Sequence, residues 1–189
     1  MIHLLAKLIY KIAGWKITGT IPKDIKQCIV LMAPHTSNWD FPIGFLGFAI
    51  LRIKVNSLIK KEAFGFPLGI IVKAMGGVAV DRRKANNVVT SVAHEFKKRE
   101  HFILIIAPEG TRSLNHHWKR GFYHIAVLAK VPIILGYLDY KHKEAGLGDI
   151  FMPTGNYESD LAVIEAFYFD KTARFPEKFN LSHINRKKQ

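Results

Sequence analysis

His35 and Asp40 stand with four residues between them in the stretch Ala33-Pro34-His35-Thr36-Ser37-Asn38-Trp39-Asp40. An apolar run over 29–32 leads into it and reads as a buried strand, and a helix-like apolar segment over 41–51 leads out. A neutral imidazole can take a proton from a hydroxyl. A neighbouring carboxylate fixes its tautomer and stabilises the imidazolium that forms. Loops at the carboxyl ends of strands are where open α/β sheets carry their chemistry. His35 therefore reads as a general base and Asp40 as the group that orients it. The competing reading is a solvated loop in which Thr36, Ser37 or Asn38 caps the next helix and Pro42 sits in its first turn.

Two further loops carry complementary groups. Asp81-Arg82-Arg83 follows the short apolar run Val78-Ala79-Val80, and Glu109-Gly110-Thr111-Arg112 follows the run over 102–106. In a parallel sheet all three loops share one edge. Arginine forks match phosphate oxygens and stay charged at physiological pH. The combination suggests removal of a proton from the hydroxyl of a phosphate-bearing substrate.

The elements that must position these groups alternate. Strands are expected over 15–20, 28–33, 55–60, 78–80, 102–106 and 131–140, with 147–151 pairing back after a turn over 141–146. Helices are expected over 41–51, 64–75, 86–99, 121–130 and 158–169. This order predicts a single α/β domain with a mostly parallel central sheet flanked by helices. Residues 1–14 form a short amphipathic helix, with Ile2, Leu5, Leu8, Ile9 and Ile12 on one face and His3, Lys7 and Lys11 opposite. That pattern suits either packing on the domain or the plane of a membrane interface. The domain proper is expected over 15–179, followed by a basic, frayed tail over 180–189.

The chain has 189 residues, 49% of them hydrophobic, and a formal charge of +13 from 28 Lys and Arg against 15 Asp and Glu. Such a balance points to an anionic partner: a membrane surface, a phosphorylated substrate or a nucleic acid. No nucleic-acid motif accompanies the charge, so nucleic acid is set aside. The one cysteine, Cys28, rules out an intramolecular disulfide and reads as a small buried residue. Nine histidines are present without the spacing of a helical zinc motif, so no metal and no bound cofactor are expected. No apolar run reaches the roughly 18 residues of a spanning helix. Lys7 and Lys11 interrupt what would be a signal-peptide core. The expected location is cytoplasmic, peripheral on the inner face of the cell membrane.

At these residues the chain resembles the glycerolipid acyltransferases, the group that includes 1-acyl-glycerol-3-phosphate acyltransferase. His35 to Asp40 is similar to the first motif of that family, and Pro67 through Gly76-Gly77-Val78-Ala79-Val80-Asp81-Arg82 to the second. Pro108-Glu109-Gly110-Thr111-Arg112-Ser113 is similar to the third, and Val131-Pro132-Ile133-Ile134 to the fourth. The resemblance implies acyl transfer from a thioester, acyl-CoA or acyl carrier protein, to the hydroxyl of a lysophospholipid. It implies His35 as base and Asp40 as its partner. Arg82, Arg112 and Lys61 would hold the acceptor phosphate, Glu109, Gly110 and Thr111 would shape that pocket, and Pro132 would help position the acyl side. Gly136-Tyr137-Leu138-Asp139-Tyr140 departs from the family, which more often continues apolar there. Other acceptors, namely an amino-lipid, a glycolipid or a transacylation partner, and a non-catalytic anionic-membrane binder, are the alternatives.

Overall fold

The structure is a computed structural model that describes residues 2–60, 62, 65, 69, 76–80 and 85–186. The expected helix over 64–75 lies outside them, except for Gly65 and Gly69, as do Lys61, Pro67, Asp81 and Arg82. In chain order the elements are α1 (Ile2–Ala13), β1 (Lys16–Thr18), β2 (Gln27–Met32), α2 (Asp40–Leu51), β3 (Asn56–Lys60) and β4 (Gly77–Val80). They continue with α3 (Ala85–Lys98), β5 (Phe102–Ile106), α4 (Gly121–Ala129), β6 (Ile133–Asp139), β7 (Glu144–Phe151) and α5 (Tyr157–Tyr168). A 3-10 turn (Pro176–Lys178) and the short α6 (His183–Arg186) are the last described elements.

The strands among the described residues form one seven-stranded sheet in the order β1-β7-β6-β2-β5-β3-β4. From β6 to β4 every neighbouring pair is parallel. β7 runs antiparallel to β6, and β1 is parallel to β7. Central strands buried on both faces read as unbroken apolar runs rather than alternating ones, which is how β2 and β6 read. On one face α3, α4 and α5 cover Ile29, Leu31, Leu104, Ile133 and Leu135 with Val92, Phe96, Phe122, Ile125 and Ile164. On the other, Phe48 of α2 covers Cys28, Val30 and Ile134. Cys28 is fully buried, and the apolar surroundings push its thiol up to about 12. It is the small core residue that its strand position implied.

Helix α1 packs on α2 by an unexpected face. Ala6 and Tyr10 are buried, Tyr10 Oη donates to Ile43 O at 2.7 Å, and His3 Nδ1 lies 3.2 Å from Ala49 O. Gly47 permits this approach, since a Cβ there would stand 2.9 Å from Tyr10 Oη. The stripe of Leu5, Leu8 and Ile12 faces outward instead, 56%, 54% and 78% exposed. His3, placed by its spacing opposite the apolar stripe, is on the packed face.

The segment expected as a frayed tail is packed as far as Arg186. Phe179 and Leu181 enter the core beneath α4 and α5. Trp118 Nε1 donates to Asn180 Oδ1 at 3.1 Å, and Asn185 Nδ2 donates to the carbonyls of Glu177 and Phe179. The basic composition of this stretch concealed Leu181 and the asparagines that anchor it.

Candidate active site at the carboxyl edge of the sheet

The loop after β2 is shaped by its own carboxylate. Asp40 is the first residue of α2, and its Oδ2 accepts from the backbone N–H groups of Thr36 at 2.9 Å and Ser37 at 2.8 Å. The expected side-chain cap is absent: the N-cap position is Trp39, and Ser37 Oγ instead accepts from Trp39 N at 3.1 Å. An aspartate at a helix N-terminus also lies in the favourable end of the helix dipole. The Ala33–Pro34 peptide preceding the loop is cis.

The same Oδ2 stands 3.2 Å from His35 Nδ1. With Nδ1–H donating to Asp40, the lone pair is on Nε2, the atom not committed to the carboxylate. The imidazole side chain is 24% exposed while that of Asp40 is 5% exposed, so a dry carboxylate backs an imidazole that solvent can reach. Burial alone pushes the Asp40 carboxyl up. Hydrogen bonds from His35, from Tyr140 and from the Ser37 N–H outweigh it and hold the group below its ordinary 3.8.

Asp40 has a further donor that sequence reading missed. Tyr140, at the end of β6, donates its hydroxyl to Asp40 Oδ1 at 2.6 Å. The signal was the departure from the family pattern at 136–140, where a polar aromatic stands in an apolar run. Burial, then the hydrogen bond to the Asp40 carboxylate, pushes the Tyr140 hydroxyl far above its ordinary value, so it remains a donor.

The loop after β5 holds the His35 backbone. Glu109 is 2% exposed, and its Oε1 accepts from the His35 backbone N–H at 2.9 Å. Among the described residues its Oε2 is buried without a hydrogen-bond partner. Burial pushes the Glu109 carboxyl up to about 7, against the opposing pull of the His35 N–H. Gly110 follows with φ +67°, and a Cβ there would meet Lys119 Cε at 2.7 Å. Thr111 Oγ1 accepts from Ser113 N at 3.2 Å, a local turn contact, and Arg112 is exposed.

The expected site residues thus divide. His35, Asp40 and Glu109 are in contact, and Gly110, Thr111 and Arg112 continue from Glu109 on the same edge. β4 reaches that edge too, through β3, with its carboxyl end at Val80; Arg82 and Lys61 lie outside the described residues. Pro132 does not join them. It precedes β6, and its carbonyl accepts from Ile29 N at 3.0 Å, at the amino ends of β2 and β6. A position on the acyl side next to His35 is therefore not what Pro132 occupies: parallel pairing puts its end of β6 on the opposite edge, and Tyr140 on the site edge. Among the described residues no group of three His, Cys, Asp or Glu is placed to hold a metal ion.

Fold and dyad define the class: an α/β domain with an acid–base pair on the carboxyl edge of a mostly parallel sheet. The family profile described as Acyltransferase matches residues 16–135, and the chain belongs to that family. A 1-acyl-sn-glycerol-3-phosphate acyltransferase of Haemophilus influenzae is 29% identical over 136 residues, 67% of this chain and 55% of the relative. Its counterpart from Escherichia coli is 30% identical over 130 residues, 64% of this chain and 51% of the relative. The chain spans about half the length of these curated relatives. The crystal structure of the 1-acyl-sn-glycerophosphate (LPA) acyltransferase PlsC from Thermotoga maritima shares the fold, with a TM-score of 0.61, 19% identity, and coverage of 87% of this chain and 74% of that one.

Proposed function

We propose that the protein transfers a fatty acyl group from a thioester, acyl-CoA or acyl carrier protein, to the hydroxyl of a lysophospholipid, with 1-acyl-glycerol-3-phosphate as the first acceptor to test. The observation that carries this reading is the His35–Asp40 contact with Nε2 left for substrate. The activity for which the relatives are named supplies the acceptor class.

In this mechanism His35 Nε2 takes the acceptor's hydroxyl proton as the oxygen attacks the thioester carbonyl. The tetrahedral intermediate then collapses, the C–S bond breaks, and the imidazolium returns its proton to the departing thiolate. Asp40, already ionised, stabilises the imidazolium between the two steps. Arg112 acts as an acceptor-phosphate anchor, with Arg82 and Lys61 as further cations for that role.

The substrates are amphiphilic, and α1 suits their location. Its outward Leu5, Leu8 and Ile12 would enter the interface of an anionic membrane, with Lys7 and Lys11 at headgroup level. No helix among the described residues is long and apolar enough to cross a membrane. The location proposed is peripheral, on the cytoplasmic side.

The test is transfer of a labelled acyl group from acyl-CoA to a panel of lysolipids, product identified by mass. His35→Ala is expected to abolish transfer while its circular dichroism spectrum is kept. Transfer retained by the folded variant would overturn the mechanism.

A further inference from the structure

The segment before the 3-10 turn places one cation beside the dyad on the β6 side. Tyr140 N donates to Thr172 O at 2.9 Å, Ala173 is buried, and Phe175 N donates to Thr36 Oγ1 at 3.2 Å. The backbone on both sides of Arg174 is therefore tied to the end of β6 and to the loop that carries His35.

The Arg174 side chain lies among three aromatic rings. Its guanidinium carbon is 5.5 Å from the Trp39 ring centre, 5.9 Å from Tyr140 and 5.8 Å from Phe175. Trp39 is 58% and Phe175 36% exposed, so the frame opens to solvent. Among the described residues Arg174 has no carboxylate partner. Arg99 and Arg120, by contrast, combine an aromatic ring with a glutamate, Glu95 and Glu158 respectively. Aromatic faces hold a guanidinium in place through its own plane and leave the in-plane N–H fork available. Arg174 also hydrogen-bonds the Tyr140 hydroxyl; the rest of its fork, positioned, exposed and without a carboxylate among the described residues, matches a phosphate.

The reaction has two substrates that each carry phosphate. The cation on the β5 side, Arg112, serves one direction of approach to His35. Arg174 lies across the dyad, on the β6 side, where the sequence resemblance assigns no phosphate ligand. We infer that Arg174, framed by Trp39, Tyr140 and Phe175, is a second phosphate-binding subsite of the active site. The inference rests on the acyl-transfer reading for the identity of the ligand. The shared chemistry is a phosphate group, borne either by the acyl donor's carrier or by the acceptor.

The test is binding, measured by isothermal titration calorimetry on the full chain and on Arg174→Gln. The probes are coenzyme A and a short-chain, monomeric 1-acyl-glycerol 3-phosphate. Loss of one charge-assisted contact is expected to weaken one of them about 10-fold or more. Weakened coenzyme A assigns the subsite to the donor, and weakened lysolipid assigns it to the acceptor. In transfer assays the KM of that substrate rises by more than kcat falls. Arg174→Lys, which keeps the charge but not the fork, is expected to fall between the two and serves if the glutamine variant unfolds early. Equal affinities for both probes overturn the inference, as does a wild-type protein that binds neither. Weaker binding to anionic vesicles with both probe affinities unchanged overturns it in favour of a membrane contact. His35→Ala should bind both probes normally, so transfer surviving in that variant would remove the base while leaving the subsite standing.

Discussion

Tyr140 donates its hydroxyl to Asp40 Oδ1 at 2.6 Å, while Asp40 Oδ2 faces His35 Nδ1 at 3.2 Å. One carboxylate thus joins His35, in the loop after β2, to Tyr140, the residue that follows β6. In the proposed mechanism Tyr140 acts through Asp40, as a positioning residue.

Tyr140→Phe should lower kcat about 10-fold by loosening the orientation of Asp40, with smaller changes in either KM. A hydrogen bond to a charged group contributes about 1.5–3 kcal/mol, so the variant should also be less stable at neutral pH. The sign with pH is fixed by Asp40. Its folded value lies below the ordinary 3.8, so this stabilisation is present above that value and is lost as pH falls through the folded one. Urea unfolding of the two proteins should therefore converge in acid. A constant gap down to pH 2 would argue against the ionised acceptor.

Asp40→Asn keeps the volume and removes the charge that orients His35 Nδ1–H. A fall in kcat of about 10³- to 10⁴-fold is expected, since the imidazolium loses its counter-charge and the tautomer its reference. Single-turnover transfer, run beside circular dichroism, separates this from unfolding. A loss below tenfold would remove Asp40 from the mechanism.

Glu109 makes stability fall with rising pH. Its unfolded carboxyl titrates near 4.5 and the buried one at about 7. Between these values the unfolded chain has released a proton that the native state keeps, so stability declines across that window and is level above it. The full decline is about 3 kcal/mol for this one group. Glu109→Gln should lose this slope. Urea titrations of both proteins at pH 5 and pH 8 check it: the wild type should lose stability relative to the variant on going to pH 8.

Leu8→Glu combined with Ile12→Glu should leave the melting temperature within about 2 °C, because both side chains are exposed. Binding to anionic vesicles should fall by about 100-fold or more, since each buried leucine-sized side chain contributes about 1.5–3 kcal/mol. Co-sedimentation at fixed salt measures it. Unchanged sedimentation would place the outward stripe of α1 outside the membrane contact.

What the sequence by itself determined was local. The β2 run ends at a loop with His35 and leads into a helix that begins at Asp40, so the dyad partners are near neighbours along the chain. A five-residue span and one turn are enough to bring them together. The alternation of apolar strands and helices likewise announced the α/β class, because periodicity is written residue by residue. Glu109 and Arg112 were reachable because parallel strands necessarily end on one edge. Direction along a strand also decided Pro132, but only once pairing was known: Ile29 aligns with Ile133, so Pro132 lies at the amino ends and Tyr140 at the site. Tertiary structure alone supplied the Tyr140–Asp40 bond across 100 residues, the Glu109 carboxylate under the His35 N–H, and the seating of Arg174 against Trp39. It also turned the apolar stripe of α1 outward and packed Leu181 into the core. These outcomes depend on which faces meet when the layers close, and composition and period along one segment do not encode the partner that another segment will present.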